Sequence, residues 1–262
     1  MPSLPFFALL TAGACLGAAT LAALADLLAT RGDRRVAVQS LAGPALLLLA
    51  GFLAVEAFRR GGLPTASAAD VLAWIALGSV ALHLACVGLL KVRALGPFLL
   101  PLGAATALAA PLAGDRPWAG SGAGAPWGIV HGITSLAGFL AFALAFAAGA
   151  LYLVQARRLK ADPTRAGRLP SLETLDRINL WGLLLALPCW TTSLVAGALG
   201  AQALWGSDWA TSPLVLFSTA TWLILAGVTA ARLTAALRGP KIAVLTLLGF
   251  ALALAALAGG HR

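Results

Sequence analysis

Charged side chains make up only 10% of this 262-residue chain, too few to clothe a water-exposed surface. That shortage excludes a soluble enzyme or a soluble nucleic-acid-binding domain. Cysteine is scarcer still: Cys15, Cys86 and Cys189 stand singly inside apolar runs, with no C-x-x-C pair and no C-x-x-C-H attachment motif. Thiol–disulfide exchange and covalently attached c-type haem therefore lack their chemistry, and the three thiols read as small packing residues. Also missing are H-E-x-x-H, a Walker loop, G-x-S-x-G and a run of intramembrane carboxylates, which argues against a metalloprotease, a nucleotide hydrolase, a serine hydrolase and a proton pump. With so few intramembrane ionisable residues, a transporter is a weak reading as well.

What fills the chain instead is apolar: 60% hydrophobic residues and a mean hydropathy of +0.93. The fold expected is all-α, a polytopic membrane protein with about eight transmembrane helices, at about 5–28, 37–57, 69–90, 94–112, 127–155, 179–201, 213–235 and 241–259. One integral membrane domain is expected over 1–262, with four amino-terminal spans in about 5–112 and four more in about 127–262. Apolar spans continue to the last residues, so the first is expected to stay in the mature protein rather than act as a cleaved signal.

The 18 Lys and Arg residues outnumber 9 acidic ones. In a soluble protein this would point to nucleic acid; here the cations lie in the short loops and set orientation. The fifth loop alone holds Arg157, Arg158, Lys160, Arg165, Arg168 and Arg177, and the sixth holds none. Placing the odd-numbered loops in the cytoplasm collects fourteen of the eighteen cations there, so both termini are expected outside. The fifth loop is also placed to touch anionic lipid head groups.

From Trp127 to Gln155 there is no charged residue, and as a helix that stretch extends roughly 43 Å against a hydrocarbon core of about 30 Å. Trp127, His131, Ser135 and Gly138 recur at spacings of four, four and three, so they share a face. Its small residues would let a neighbouring backbone or a flat cofactor approach, with Phe139, Phe142 and Phe146 filling the contacts beside it. The expected topology puts His131 and His261 on the outer side with Trp118, Trp127, Trp205, Asp208 and Trp209. Paired imidazoles flanked by aromatics suit a planar, apolar cofactor such as haem. Plainer readings stand beside that one: an aromatic interface belt, a helix-end imidazole at His131 bonded to a carbonyl, and a loose penultimate His261. His83, inside the third span, reads as a helix–helix hydrogen bond, a second internal ligand or a proton relay. Asp26, Glu56 and Asp70 read as capping or interfacial groups, and Ser171 with Thr174 as a helix start.

The run WGIVHGITSLAGFLAFALAFAAGALYLVQARRLK, followed by LPSLETLDRINLWGLLLALPCWTTSLVAGALGA and a Trp-Gly loop, resembles the cytochrome c assembly family, and more narrowly its CcsA/HemX-like branch. The resemblance covers about half the chain, from Trp127 onward. It implies a haem-handling assembly factor of cytochrome c maturation, not an enzyme acting on a soluble substrate, in a bacterial-type inner membrane. Haem b is the cofactor implied, with apocytochrome c, other assembly membrane proteins and lipid as partners and no nucleic acid. Carried over by position, His131 and His261 match the family's histidines and would be axial metal ligands, and Trp205 with Gly206 matches the start of its outer loop; Trp127, Asp208 and Trp209 stand beside them as candidate cofactor-binding residues. Where the fuller family members carry a W-x-W-D-P-K-like loop, this chain has WGSDWATSP. The alternatives are a non-haem membrane scaffold and a regulatory or accessory protein of haem biosynthesis.

Overall fold

The computed structural model describes residues 4–28, 35–65, 67–114, 126–162, 169–205, 208–234, 237 and 239–259; the side chains of 4, 5, 35, 126, 202–205, 208 and 259 are outside that description. The described residues form eight long helices: α1 (Leu4–Leu28), α2 (Arg35–Arg60), α3 (Ala68–Gly88), α4 (Gly96–Ala113), α5 (Pro126–Ala161), α6 (Leu172–Trp205), α7 (Pro213–Leu233) and α8 (Pro240–Gly259). All eight are long and apolar enough to cross a membrane. The chain is an integral membrane protein, and large apolar side chains on its surface, Phe58 at 90% exposure among them, suit lipid rather than water.

Helix bounds follow the apolar runs except around the fifth loop. There α5 continues to Ala161 and α6 starts at Leu172, well outside the apolar limits of 155 and 179. Charge ends a hydrophobic run without ending a helix, because Arg, Lys, Leu and Glu are all good helix formers. The true start of α6 is chemical: the Thr174 amide donates to Ser171 Oγ at 3.2 Å.

The helices divide into two compact units, residues 1–118 and 119–262. In the first, α1 packs on α2 and α4, and α3 on α4. Glycine makes two of these contacts close. A Cβ at Gly13 would stand 2.6 Å from the Leu108 side chain, and one at Gly96 would stand 2.9 Å from His83 Cε1. The turn between α2 and α3 is tied electrostatically. Arg60 bridges Glu56 (3.0 Å) and the fully buried Asp70 (2.6 Å), while Asp70 closes a capping box with Ser67.

In the second unit α5 and α6 run antiparallel in close contact, and α8 packs on α5 and α7. The seam is read from its small residues. A Cβ at Gly138 would meet the Trp190 amide at 3.2 Å, and one at Gly182 would meet the Ala141 carbonyl and Ala145 at 2.8 Å. Backbone atoms cannot step aside, so glycine is required at 182 for steric reasons. Opposite the seam Phe250 of α8 gathers Phe139, Phe142 and Phe146, at centroid distances of 5.4, 5.6 and 4.8 Å. These three phenylalanines do fill the contacts beside the small-residue face.

Gly182→Ala is expected to destabilise the purified protein by about 1–3 kcal/mol, the usual cost of overpacking. Gly200→Ala, where a Cβ meets nothing within 4 Å, is the control and should leave the melting temperature in detergent unchanged.

Candidate functional site

The candidate residues expected on the outer side begin on α5. Its first turns carry Trp127 and His131, and the α5–α6 seam delivers Ser193 and Gly197 of α6 opposite them. Ser193 and Gly197 are four apart, hence on one face of α6, as His131 and Ser135 are on α5. Two i, i+4 pairs therefore meet across an antiparallel contact.

The imidazole of His131 is half-buried and anchored. Nδ1 lies 2.9 Å from the Ser193 carbonyl oxygen and 3.2 Å from Ser193 Oγ. Ser135 Oγ stands 3.4 Å from Nε2 on the same flank of the ring as Ser193 Oγ, the two hydroxyls being 2.6 Å apart. A carbonyl oxygen accepts and never donates, so Nδ1 must carry the ring proton. Nε2 is left with its lone pair. Gly197 makes room for the ring: a Cβ there would stand 2.9 Å from Nδ1 and 3.0 Å from Cε1.

The expected hydrogen bond from His131 to a carbonyl is thus present, and it does not compete with a ligand role. A metal-binding histidine characteristically donates its other ring nitrogen to a carbonyl or carboxylate, which orients the ring and fixes the tautomer. The residues present fit one axial imidazole contributed through Nε2. Among the described residues no three His, Cys, Asp or Glu side chains converge as a metal cluster.

The other candidates are placed less fully. Trp127 is 51% exposed on the first turns of α5, near Ile129, Val130 and Ile133, which are also exposed. The backbone of Trp205 ends α6, and a short 3-10 turn, Asp208–Thr211, holds Asp208 and the half-buried Trp209 before Ser212 caps α7. The side chains of Trp205 and Asp208, and all of His261 and Trp118, lie outside the described residues.

His83 differs from expectation. It is 1% exposed in the first unit, and neither ring nitrogen has a hydrogen-bond partner among the described residues. Gly96 lies against the ring, and no helix–helix hydrogen bond to it forms among the described residues. Cys86 is buried, Cys15 and Cys189 half-buried, and all three are free.

Residue-by-residue reading missed Ser193 and Gly197. The sign of them was their spacing within TTSLVAGALGA, meaningful only once α6 is laid antiparallel to α5. It also missed a polar group at the other end of the same seam. There Asn179 donates to the Ala145 carbonyl at 2.8 Å, and the Arg232 guanidinium pairs with Asp176. A cleft of about 320 Å³ opens beside them, lined by Tyr152, Leu172, Glu173, Asp176 and Gly239.

Compared with known proteins, residues 11–258 match the family model described as cytochrome C assembly protein. The chain is 36% identical over 90 residues to the cytochrome c biogenesis protein CcsA of Nostoc punctiforme, which is 34% of this chain and 26% of that protein. Against the CcsA proteins of Microcystis aeruginosa and Pyropia yezoensis it is 39% and 36% identical over 83 residues, 32% of this chain and 25% and 26% of theirs. The matched segment spans about a quarter of the length of each of these relatives.

Gly197→Ala is expected to displace the His131 ring rather than unfold the seam, because the atoms it meets end a movable side chain. The Nδ1–H resonance in ¹⁵N-histidine NMR should shift or vanish, while the unfolding free energy stays within about 1 kcal/mol of wild type.

Proposed function

Because this chain belongs to the cytochrome C assembly protein family, we propose that it handles haem at the outer face of the membrane during cytochrome c maturation, with His131 as an axial ligand. The observation that carries this reading is the His131 seat: a histidine held as the Nδ1–H tautomer by a backbone carbonyl, with the lone pair left on Nε2. When bound, haem iron would supply a site that takes an imidazole lone pair.

The chain's own residues do the rest. The Ser193 carbonyl aims the ring, and Gly197 lets it lie flat against α6. Trp127 lies on the first turn of α5 and Trp209 just past α6, and their flat apolar faces would exclude water from a planar cofactor. Trp205, Asp208 and His261 complete the proposed set, His261 as the second axial ligand. The sidedness rests on the cation count: the positive-inside rule puts the cation-rich fifth loop in the cytoplasm of a bacterial-type inner membrane and the His131 end outside. Apocytochrome c and other membrane proteins of its assembly are the partners this reading implies.

The full chain, purified in mild detergent from haem-replete cells, is expected to show a Soret band and low-spin reduced bands. His131→Ala should cut the haem content about tenfold or more. Equal spectra for the two proteins overturn the ligand assignment, and no band in either overturns haem handling.

A further inference from the structure

At the end of the α5–α6 seam opposite His131, the polar group around Asn179 lacks a donor. We propose that this end seats the head group of a phospholipid with a primary ammonium, phosphatidylethanolamine. The ammonium would lie on Asn179 Oδ1, Tyr152 and Asp176, and the phosphate at the first turn of α8.

Asn179 is 3% exposed and its amide nitrogen donates to the Ala145 carbonyl, yet Oδ1 has no partner among the described residues. A buried amide oxygen in that state is a standing cost until a donor reaches it. Asn179 lines a cavity of about 10 Å³, room for one water-sized group, together with Tyr152, Asp176 and Gly239. Those three also line the open cleft of about 320 Å³, so the cavity adjoins the cleft on its buried side. Gly239 keeps the junction open. Its φ is +65°, and a Cβ there would stand 3.0 Å from Tyr152 Oη.

Asn179 Oδ1, the Tyr152 hydroxyl and the Asp176 carboxylate can all accept, and the carboxylate has lone pairs to spare beside its Arg232 pair. A primary ammonium is a water-sized group with three donors, whereas a trimethylammonium is larger and has none. Glu173 and Asp176 are each already paired with an arginine, Arg177 and Arg232, so a ligand without net charge suits the cleft better than an anion. Donors for the phosphate follow Gly239 directly. Pro240 opens the twenty-residue α8, and the amides of Lys241 and Ile242 in its first turn have no carbonyl within the helix to bond. A lipid, rather than a soluble amine, follows from the setting. The cleft lies at the ends of membrane-spanning helices, and exposed Val244 and Leu248 continue from Pro240 at spacings of four, a track for an acyl chain along one face of α8.

The test is native mass spectrometry of the full chain in mild detergent, offered equal amounts of phosphatidylethanolamine, phosphatidylcholine and phosphatidylglycerol with the same acyl chains. The wild-type protein should retain phosphatidylethanolamine about tenfold over either of the others, the worth of one hydrogen bond to a charged donor. Tyr152→Phe, which removes a single oxygen and should leave the melting temperature unchanged, is expected to abolish that preference. Gly239→Ala, which crowds the same hydroxyl, should do so too. Glycerophosphoethanolamine at the lipid's concentration should displace none of the bound lipid. Equal retention of the three lipids overturns the proposal, as does a preference for phosphatidylglycerol, which would mark an anionic-lipid surface only. A preference that survives either variant removes the site from this cleft, and displacement by the soluble head group makes the ligand a free amine and overturns the lipid.

Discussion

The close approach of α5 to α6 is the constraint on which the second unit depends. In a membrane there is no water to expel from between helices, so attraction must come from atoms in van der Waals contact and from hydrogen bonds that lipid cannot replace. Gly138 and Gly182 bring the two backbones within touching distance, and the contact spans most of α5. Everything chemical is hung on this seam: Asn179 bonding to α5 near one end, His131 bonding to α6 near the other. The small residues therefore set the separation at which the polar ones can reach.

Polar groups in this protein follow a common economy. Those that cross between helices do so as complete or nearly complete sets, as at Arg60 with Glu56 and Asp70, Arg232 with Asp176, and Trp222 with Thr191 at 2.9 Å. Hydroxyls with no cross-helix partner fold back on their own helix, as Thr221 and Thr229 do onto the carbonyls four residues earlier. Against that background the orphans stand out. Among the described residues His83 keeps both nitrogens unpaired, and Asn179 Oδ1 and Asp70 Oδ1 are likewise buried without a partner.

Much of the architecture was legible because apolar length is a one-dimensional signal. A run of some twenty apolar residues has to cross, and the eight helices stand where the eight runs do. The extra turns on α5 and α6 were not legible from hydropathy, since helix propensity continues through Arg157–Lys160 and Leu172–Asp176 after hydrophobicity has stopped. The His131 face was readable from spacing alone, and its partner on α6 was not. Ser193 and Gly197 acquire meaning only from a contact sixty-odd positions apart in sequence, which no local period encodes. Likewise the polar group of Tyr152, Asp176, Asn179 and Arg232 draws on three helices, α6 contributing two of the four residues.

His131 shows why a structural and a ligating role belong together. A bare imidazole near a helix end would choose freely between tautomers and rotamers, and any ligand would have to supply the ordering free energy itself. Seating the ring against Gly197, with Nδ1 on a carbonyl that only accepts, spends that entropy during folding. What remains at Nε2 is a lone pair of fixed direction, with the Ser135 hydroxyl 3.4 Å from the nitrogen. The same carbonyl bond that fastens α5 to α6 thus decides which nitrogen is available, and a change in helix separation would alter the packing and the chemistry at once.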